Sequence, residues 1–340
     1  MSQLGPGSKN LITDVAGLKV GQAHDERART GVTVILPDDR TVCACDVRGG
    51  APGTRETDAL APENLVDEVD AVVLSGGSVY GLAAADAVTA QLGAAGRGYG
   101  LRTGPGVPVS PVVPAAILYD LANGGDKAWG EAPPYRELAV AALAAASDRF
   151  ALGTAGAGYG AMSGRLKGGI GSASVVGEEG FTAGAIVAVN SFGSAVAPGG
   201  RTFWAAPFEI GAEFGGLGAA GLKAAPDDWG LAKGPPGGRE NTTLACVAVD
   251  AALTPAEAKR LAIMAQDGLA RALRPAHSPF DGDVVFALAT ARKALPETRQ
   301  RSLARLGALA ADALSRAVAR AVYEAAPWPG TDALCWRDLA

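Results

Sequence analysis

Short apolar segments of strand length alternate along this chain with alanine-rich segments of helical length, and this alternation limits the possible folds more than any other feature. The apolar runs at 71–74, 185–189, 244–249 and 284–289 are bounded by Gly, Asn or Asp, which predicts buried strands. The chain has no internal repeat and no clean break in composition. The pattern therefore favours one large domain of α/β type over residues 1–340.

Three segments predict helices. The first spans 79–92, and the second spans 254–273, with Thr254 as N-cap, Pro255 at the first helical position and Glu257 in a capping box. The third lies near the end of the chain, where apolar residues recur at helical spacing and four arginines lie mostly off the apolar stripe. The stripe consists of Leu303, Leu306, Leu309, Leu314, Val318 and Val322, and the arginines are Arg301, Arg305, Arg316 and Arg320. This pattern predicts an amphipathic helix packed on a sheet.

The composition excludes several classes of function. Apolar residues make up 48% of the 340 residues and charged residues 19%, so the chain can bury a sizeable core. The formal net charge is −5 and there is no polybasic run, so we expect no binding to nucleic acid or to an anionic membrane. The N-terminus lacks the apolar segment of a signal peptide, and no apolar run reaches about 18 residues, so we expect a soluble, cytoplasmic protein.

Histidine and cysteine are too scarce for most metal sites. The two histidines, His24 and His277, exclude a multi-histidine site. The four cysteines have neither zinc-site spacing nor the density of a disulfide scaffold, which indicates reduced, mostly structural thiols. They are Cys43, Cys45, Cys246 and Cys335. We expect no metal and no organic cofactor.

Two glycine-rich motifs each allow two interpretations. Residues 156–161, GAGYGA, satisfy G-x-G-x-x-A, with Glu178 and Glu179 at about the distance of a ribose-binding acid, which would suit a nucleotide-binding protein. The residues that follow are too rich in glycine for the helix that a dinucleotide site requires, so a tight turn is favoured. Residues 75–81, SGGSVYG, could present backbone N–H groups to an anion or could permit close packing of a strand and a helix. No G-x-S-x-G occurs, which argues against an α/β-hydrolase.

Asn241, Thr242 and Thr243 form the sharpest local feature. A segment rich in Gly, Pro and charge, between Phe214 and Asn241, predicts a mobile, exposed loop that leads into a buried strand. A hydroxyl residue at such a junction could be an N-terminal nucleophile that is unmasked by cleavage. Local sequence alone favours a polar strand entry, since Thr prefers strands and Asn is common before them.

Seven motifs in order resemble, across nearly the whole chain, the self-processing family of L-aminopeptidase/D-esterases, β-peptidyl aminopeptidases and nylon-oligomer hydrolases. They are DVRGGAPGTRETDAL (46–60), AVVLSGGSVYGLAAADAV (71–88), VPAAILYDL (113–121), GTAGAGYGA (153–161), AIVAVNSFG (185–193), NTTLACVAVDAALTP (241–255) and FDGDVVFALAT (280–290). The resemblance implies an α+β fold, an αββα sandwich like that of N-terminal-nucleophile hydrolases. It also implies a precursor that cuts itself between Asn241 and Thr242 into an α chain (1–241) and a β chain (242–340).

The resemblance also implies which residues act with Thr242. Asn190 would donate its amide to an oxyanion, and Tyr119 could add a second donor; their alternatives are a strand-end turn and an aromatic packed at a helix end. Lys167 would lie near Thr242 as a cation that holds the hydroxyl or favours a neutral amine, although most lysines are merely solvated.

Asp281 and Asp283 would share one face and orient the amine and hydroxyl of Thr242, and an ordinary turn is the alternative. Relatives with a serine nucleophile carry Ser and Glu at these two positions, so the match is closer to the threonine-using nylon-oligomer hydrolases. His277 is predicted to be a loop residue.

The predicted function is that of an N-terminal-threonine amidohydrolase that acts through an acyl-enzyme. Its substrates would be short peptides, amino-acid amides or oligoamides. An acyltransferase with the same self-cleaving chemistry and a nucleotide-binding protein remain as alternatives. The resemblance further implies a homo-oligomer, a tetramer in the family, although the alanine-rich helices could equally be covered within one subunit.

Overall fold

The computed structural model describes residues 5–100, 104–220, 222–234 and 241–340, which contain thirteen strands and four α-helices. The strands are β1 (Leu18–Asp25), β2 (Thr30–Pro37), β3 (Thr41–Val47), β4 (Thr54–Arg55), β5 (Glu68–Val69), β6 (Val72–Ser75), β7 (Ala115–Ile117), β8 (Met162–Ser163), β9 (Leu166–Lys167), β10 (Gly169–Val176), β11 (Thr182–Asn190), β12 (Thr242–Ala251) and β13 (Val284–Lys293). The helices are α1 (Ala83–Ala94), α2 (Tyr135–Ala144), α3 (Pro255–Ala272) and α4 (Arg299–Tyr323).

The strands form two large sheets and one short hairpin. The six-stranded sheet has the order β10-β11-β12-β13-β3-β5, the five-stranded sheet has the order β1-β2-β6-β7-β4, and β8 pairs with β9. Among the described strands only β12–β13 and β6–β7 pair in parallel. The α/β-type expectation, which implies a mostly parallel sheet, is therefore wrong, and the α+β class implied by the resemblance is confirmed.

The two sheets face each other and each carries helices on its outer side. Ile35 and Leu74 of one sheet and Ile186, Leu244 and Phe286 of the other belong to one buried cluster between the sheets. Helices α3 and α4 pack on the outside of the six-stranded sheet, and α1 and α2 pack on the outside of the five-stranded sheet. This arrangement confirms the αββα sandwich.

The central strands lie where continuous apolar runs predicted them, because β11 and β12 are buried on both faces. The capping box of Thr254 and Glu257 is present at the start of α3. The helix predicted from residue 79 instead begins as a 3₁₀ turn, Ser78–Leu82, before α1. Helix α2 was not among the helices predicted from the sequence. The loop predicted before Asn241 is mostly exposed over 215–220 and 222–234, while its residues 221 and 235–240 lie outside the described residues.

Helix α4 packs on the sheet as predicted, but one of its arginines is buried in the core. Arg316 forms a two-point ion pair with Glu213 (Nε to Oε1 2.5 Å, Nη2 to Oε2 2.9 Å) and donates to the Ser174 carbonyl at 2.7 Å. The buried guanidinium thus has hydrogen-bond acceptors, and the Glu213 carboxylate compensates its positive charge.

Both glycine motifs serve packing. Residues 156–158 form a 3₁₀ turn that leads to the β8–β9 hairpin, so no helix follows to bind a pyrophosphate. In the other motif the Gly76 and Gly77 N–H groups donate to the Gly31 carbonyl and the Asp120 carboxylate. A Cβ on Gly77 would lie 2.0 Å from the Tyr135 ring, and its φ is +86°, so glycine is required by close approach.

The four cysteines, predicted to be reduced thiols, are free, and all four are buried. Burial raises the pKa of Cys45 to about 12, so this thiol stays protonated at neutral pH. Within the described ranges, no helix combines the length and the apolar character needed to cross a bilayer.

Candidate active site

Thr242 is the first residue of β12 and lies between two neighbours in the six-stranded sheet. On one side it is opposite Asn190, the last residue of the antiparallel strand β11. On the other side the parallel register of β12 and β13 extends back through a bridge between Asn241 and Asp281, which places Gly282 beside Thr242. Thr242 is 4% exposed, so its hydroxyl lies within the sandwich.

The carbonyl of Asn241 is held at the point where the chain enters β12. It accepts a hydrogen bond from the Gly282 N–H at 2.9 Å, and the Thr242 hydroxyl also contacts it. A Cβ on Gly282 would lie 2.8 Å from Thr242 Oγ1 and 2.7 Å from the Ala51 carbonyl oxygen. Only glycine lets the backbone at 282 approach the hydroxyl this closely.

Asp281 and Asp283 both lie beside Thr242 and are buried, but neither hydrogen-bonds its hydroxyl. Asp283 Oδ1 accepts from the backbone N–H of Thr243 at 2.8 Å. Asp281 accepts from the N–H of Phe192 at 3.0 Å and from the N–H and hydroxyl of Ser278. Burial, and then the charge of Asp283, raises the pKa of Asp281. The two carboxylates thus hold the backbone around Thr242.

His277 is part of this arrangement and is more than the loop residue that was predicted. Its Nδ1 lies 2.9 Å from Asp283 Oδ2, and its backbone N–H donates to the same oxygen at 3.1 Å. The two aspartates therefore receive donors from consecutive residues, His277 for Asp283 and Ser278 for Asp281. A D-x-D pattern alone carries no signal for such a partner six residues upstream.

The segment 48–51 packs against the backbone of Asp281 and Asp283. Arg48 N–H and Ala51 N–H donate to the carbonyls of Asp283 and Asp281 at 3.0 and 2.8 Å. A Cβ on Gly49 would lie 2.2 Å from the Asp283 nitrogen. The glycines in the motif RGGAPG thus allow one backbone to pack on another, a role that the sequence marked only through the family motif.

Asn190 and Tyr119 meet on the other side of Thr242. The Asn190 amide donates to the Tyr119 carbonyl at 3.0 Å and accepts from the Met162 N–H at 2.9 Å, which fixes the orientation of the amide. Tyr119 follows strand β7, so the alternative of an aromatic at a helix end is wrong. These two residues, Met162 and Trp328 line a cleft of about 330 Å³, a size that suits a small ligand.

Lys167 lies on β9, where it pairs with Met162, and is completely buried. Its Nζ donates to the carbonyls of Gly168 at 2.8 Å and Ala161 at 3.0 Å, and it makes no hydrogen bond to Thr242. It also lies 4.9 Å from the centre of the Trp328 ring. Burial lowers the pKa of Lys167 to about 7, so this amine can change charge near neutral pH.

Asp120 adds a second buried titratable group to the cleft. It accepts from the Thr30 hydroxyl and the Gly77 N–H, both at 2.7 Å. Burial raises the pKa of Asp120 to about 6. As the pH rises, Asp120 therefore gains its negative charge near the pH at which Lys167 loses its positive charge. Among the described residues no group of three or more His, Cys, Asp or Glu side chains is arranged to hold a metal ion.

The peptidase family that the chain matches identifies it as a hydrolase, an aminopeptidase or amidase with an αββα sandwich fold. A model of peptidase family S58 matches residues 10–335, and the chain belongs to this family.

Individual relatives agree with the family assignment. An uncharacterized aminopeptidase of Mycobacterium tuberculosis (strain ATCC 25618 / H37Rv) is 44% identical, with 97% of this chain and 98% of the relative covered. A 6-aminohexanoate-oligomer endohydrolase of Kocuria sp. (strain KY2) is 29% identical over 93% and 86%. The solved L-aminopeptidase D-Ala-esterase/amidase of Ochrobactrum anthropi, described as a variant of the Ntn hydrolase fold, superposes with a TM-score of 0.71 at 23% identity and covers 100% of this chain and 92% of its own.

Proposed function

We propose that the protein cuts itself between Asn241 and Thr242 and that the freed Thr242 then hydrolyses amide bonds of short peptides, amino-acid amides or oligoamides. The observation that carries this proposal is the contact between the Thr242 hydroxyl and the Asn241 carbonyl, which the Gly282 N–H also binds. The products would be an α chain of residues 1–241 and a β chain of residues 242–340.

Self-cleavage begins when Thr242 Oγ1 adds to the carbonyl carbon of Asn241. The negative charge that develops on the carbonyl oxygen is stabilised by the Gly282 N–H, which already donates to that oxygen. The C–N bond then breaks, the hydroxyl proton ends on the departing nitrogen, and Asn241 becomes an ester of Oγ1. Water opens the ester and leaves a carboxylate on Asn241 and a free amine and hydroxyl on Thr242.

The free amine supplies the base that the chain otherwise lacks. An α-amine has a pKa of about 7.7 to 8.0, so at neutral pH it can take the hydroxyl proton directly or through water. Asp281 and Asp283 flank Gly282, which lies beside Thr242, and in this proposal their carboxylates orient the amine. Asn190 lies opposite Thr242 and lines the cleft, and in this proposal its amide stabilises the oxyanion of an external substrate.

The cleft favours a small acyl group. Its volume of about 330 Å³ is at the lower end for ligand pockets, and its wall includes Trp328 and Tyr119 as well as the polar Asn123 and Asn190. The cutting of oligoamides comes to this chain by analogy with the Kocuria enzyme, which is named for 6-aminohexanoate oligomers. A homotetramer and a cytoplasmic location stay predictions.

Thr242→Val tests the proposal, with Thr243→Val as the matched control. Both changes replace a buried threonine with an isosteric residue, and the Thr243 hydroxyl has no hydrogen-bond partner among the described residues. Intact mass under denaturing conditions should show two chains for the wild type and for Thr243→Val, the smaller beginning with Thr242. Thr242→Val should remain one chain of 34.0 kDa without amidase activity. Efficient cutting of Thr242→Val would refute the proposal.

A further inference from the structure

We propose that His277 is a positioning residue for self-cleavage, because its imidazole holds the Asp283 carboxylate against the backbone at the start of β12. This inference rests on the proposed function. It adds to the reaction a residue that lies outside the seven family motifs. The contacts that carry it run from His277 through Asp283 to Thr243.

The first step is the geometry at Asp283. Its Oδ2 faces His277 Nδ1 at 2.9 Å and the His277 N–H at 3.1 Å, while its Oδ1 accepts from the Thr243 N–H at 2.8 Å. Two backbone N–H groups already donate to this carboxyl group, one to each oxygen. Because Nδ1 faces the same Oδ2, we assign it a proton, so that it donates to this oxygen as well.

The second step links this carboxylate to the nucleophile. Thr243 is the residue directly after Thr242, so the hydrogen bond from its N–H fixes the peptide plane that Thr242 shares with it. That plane sets where Oγ1 lies relative to the Asn241 carbonyl carbon, and misplacement of reacting atoms by about 1 Å can cost about 100-fold in rate. An imidazole that keeps Asp283 in place therefore acts on the cleavage rate without touching the reacting atoms.

The third step is the backbone of His277 itself. Its φ is +55°, a left-handed conformation that is uncommon for residues other than glycine and in which Asn, Asp and His are enriched. Such strained residues persist where the surroundings determine them and cluster at functional sites. The His277 side chain is 23% exposed against 1% for Asp283, so the ring lies between the buried carboxylate and solvent.

The test compares His277→Asn with His277→Asp in the full-length chain. Both residues tolerate a positive φ and have the same size, but Asn offers an N–H donor close to the position of Nδ1, whereas Asp offers only an acceptor that faces another carboxylate. Each precursor is made by cell-free synthesis, and the rate of cutting is followed on denaturing gels. We expect Asn to cut within about threefold of the wild-type rate and Asp at least about tenfold more slowly, the size of effect that loss of a hydrogen bond to a charged group gives.

Chemical rescue separates positioning from a general structural role. His277→Gly keeps the backbone conformation and the N–H to Asp283 but removes the ring, and the 23% exposure of the wild-type side chain gives small molecules access to the space left. Added imidazole should speed cutting of His277→Gly and leave the wild type and His277→Asp unchanged. Rescue by imidazole is a readout that a residue needed only for folding would not produce.

Two results would overturn the inference. One is equal cutting rates for His277→Asn and His277→Asp, and the other is a wild-type rate for His277→Gly without imidazole. Failure of the proposed function would look different, since the wild-type chain would then remain uncut under the same conditions.

Discussion

Thr242 has two different neighbourhoods, one on each side of β12. The cleavage side consists of Asn241, Asp281, Gly282, Asp283 and His277. Here backbone N–H groups, the Ser278 hydroxyl and one imidazole hydrogen-bond the two carboxylates, and the Gly282 N–H and the Thr242 hydroxyl contact the Asn241 carbonyl. On the cleft side, which consists of Tyr119, Met162 and Asn190, the strand neighbour of Thr242 lines a cavity together with the other two residues.

This difference teaches how one hydroxyl could serve two reactions. The cleavage side is closed around a peptide bond of the chain itself, so its geometry is set by folding. The cleft side leaves space for an acyl group from outside, so its geometry is completed by the substrate. Variants on the two sides should therefore separate self-cleavage from turnover.

The largest effect is expected on the cleavage side, from Gly282→Ala. The added Cβ would lie 2.8 Å from Thr242 Oγ1 and displace the N–H that binds the Asn241 carbonyl, so self-cleavage should slow by about 100-fold, the usual cost of one lost oxyanion donor. The fraction of cut chain over time, read from intact mass, measures the effect. Gly200→Ala is the control, because a Cβ there meets nothing within 4 Å. Equal cutting by the two variants would remove the role given to the Gly282 N–H.

On the cleft side, Tyr119→Phe is expected to have a smaller effect, which falls on turnover and not on self-cleavage. Tyr119 lines the cleft, and it is its backbone carbonyl that accepts from the Asn190 amide, so removal of the hydroxyl should leave self-cleavage at the wild-type rate. Loss of a hydroxyl that donates to a bound substrate should lower kcat/KM on a short amide by about tenfold. Tyr80→Phe, in the exposed part of the 3₁₀ turn before α1, is the control. A loss of self-cleavage in Tyr119→Phe would show that the cleft side also contributes to self-cleavage, so the two sides would not have separate roles.

A third effect, on stability instead of rate, is expected from the pH dependence of Lys167. Its pKa is lowered to about 7, below the roughly 10.4 of an unfolded lysine, so between these values the unfolded chain binds more protons than the folded chain. The contribution of Lys167 to the free energy of unfolding should therefore rise as the pH increases from 7 to about 10, by up to a few kcal/mol.

Lys167→Met should lack this rise. Urea unfolding at pH 7, 8 and 9, in the uncut Thr242→Val background, compares the two chains. Lys223→Met, a change of an exposed lysine, should keep the wild-type dependence. A parallel pH dependence in Lys167→Met would show that Lys167 does not titrate in this window.

The parts of the fold that the sequence predicted are those with local signals. Strands β11, β12 and β13 follow from uninterrupted apolar runs, and the start of α3 follows from Thr254 and Glu257. Other features depend on residues far apart in the chain. The burial of Arg316 requires its partner Glu213, 103 positions away, and no periodicity within α4 can indicate it.

The candidate site also has predictable and unpredictable parts. The family motifs predicted which residues belong to it, namely Thr242, Asn190, Tyr119, Lys167 and both aspartates, but they did not indicate which atoms are in contact. That Tyr119 holds Asn190 through a carbonyl and that Lys167 contacts carbonyls instead of Thr242 depend on how strands β7, β9 and β11 are placed in three dimensions. The contribution of Gly282 comes from a missing side chain, which a sequence shows only as one glycine among 47.

The strand order of the six-stranded sheet has a consequence for the life of the molecule after cutting. Strands β12 and β13, which would belong to the β chain, lie between β11 and β3 of the α chain. The site around Thr242 is assembled only once these distant strands have paired, so a molecule that had cut itself would be one that had completed its folding. Once unfolded, its two pieces would have to find each other by diffusion, so recovery would depend on concentration and loss of structure would be close to irreversible.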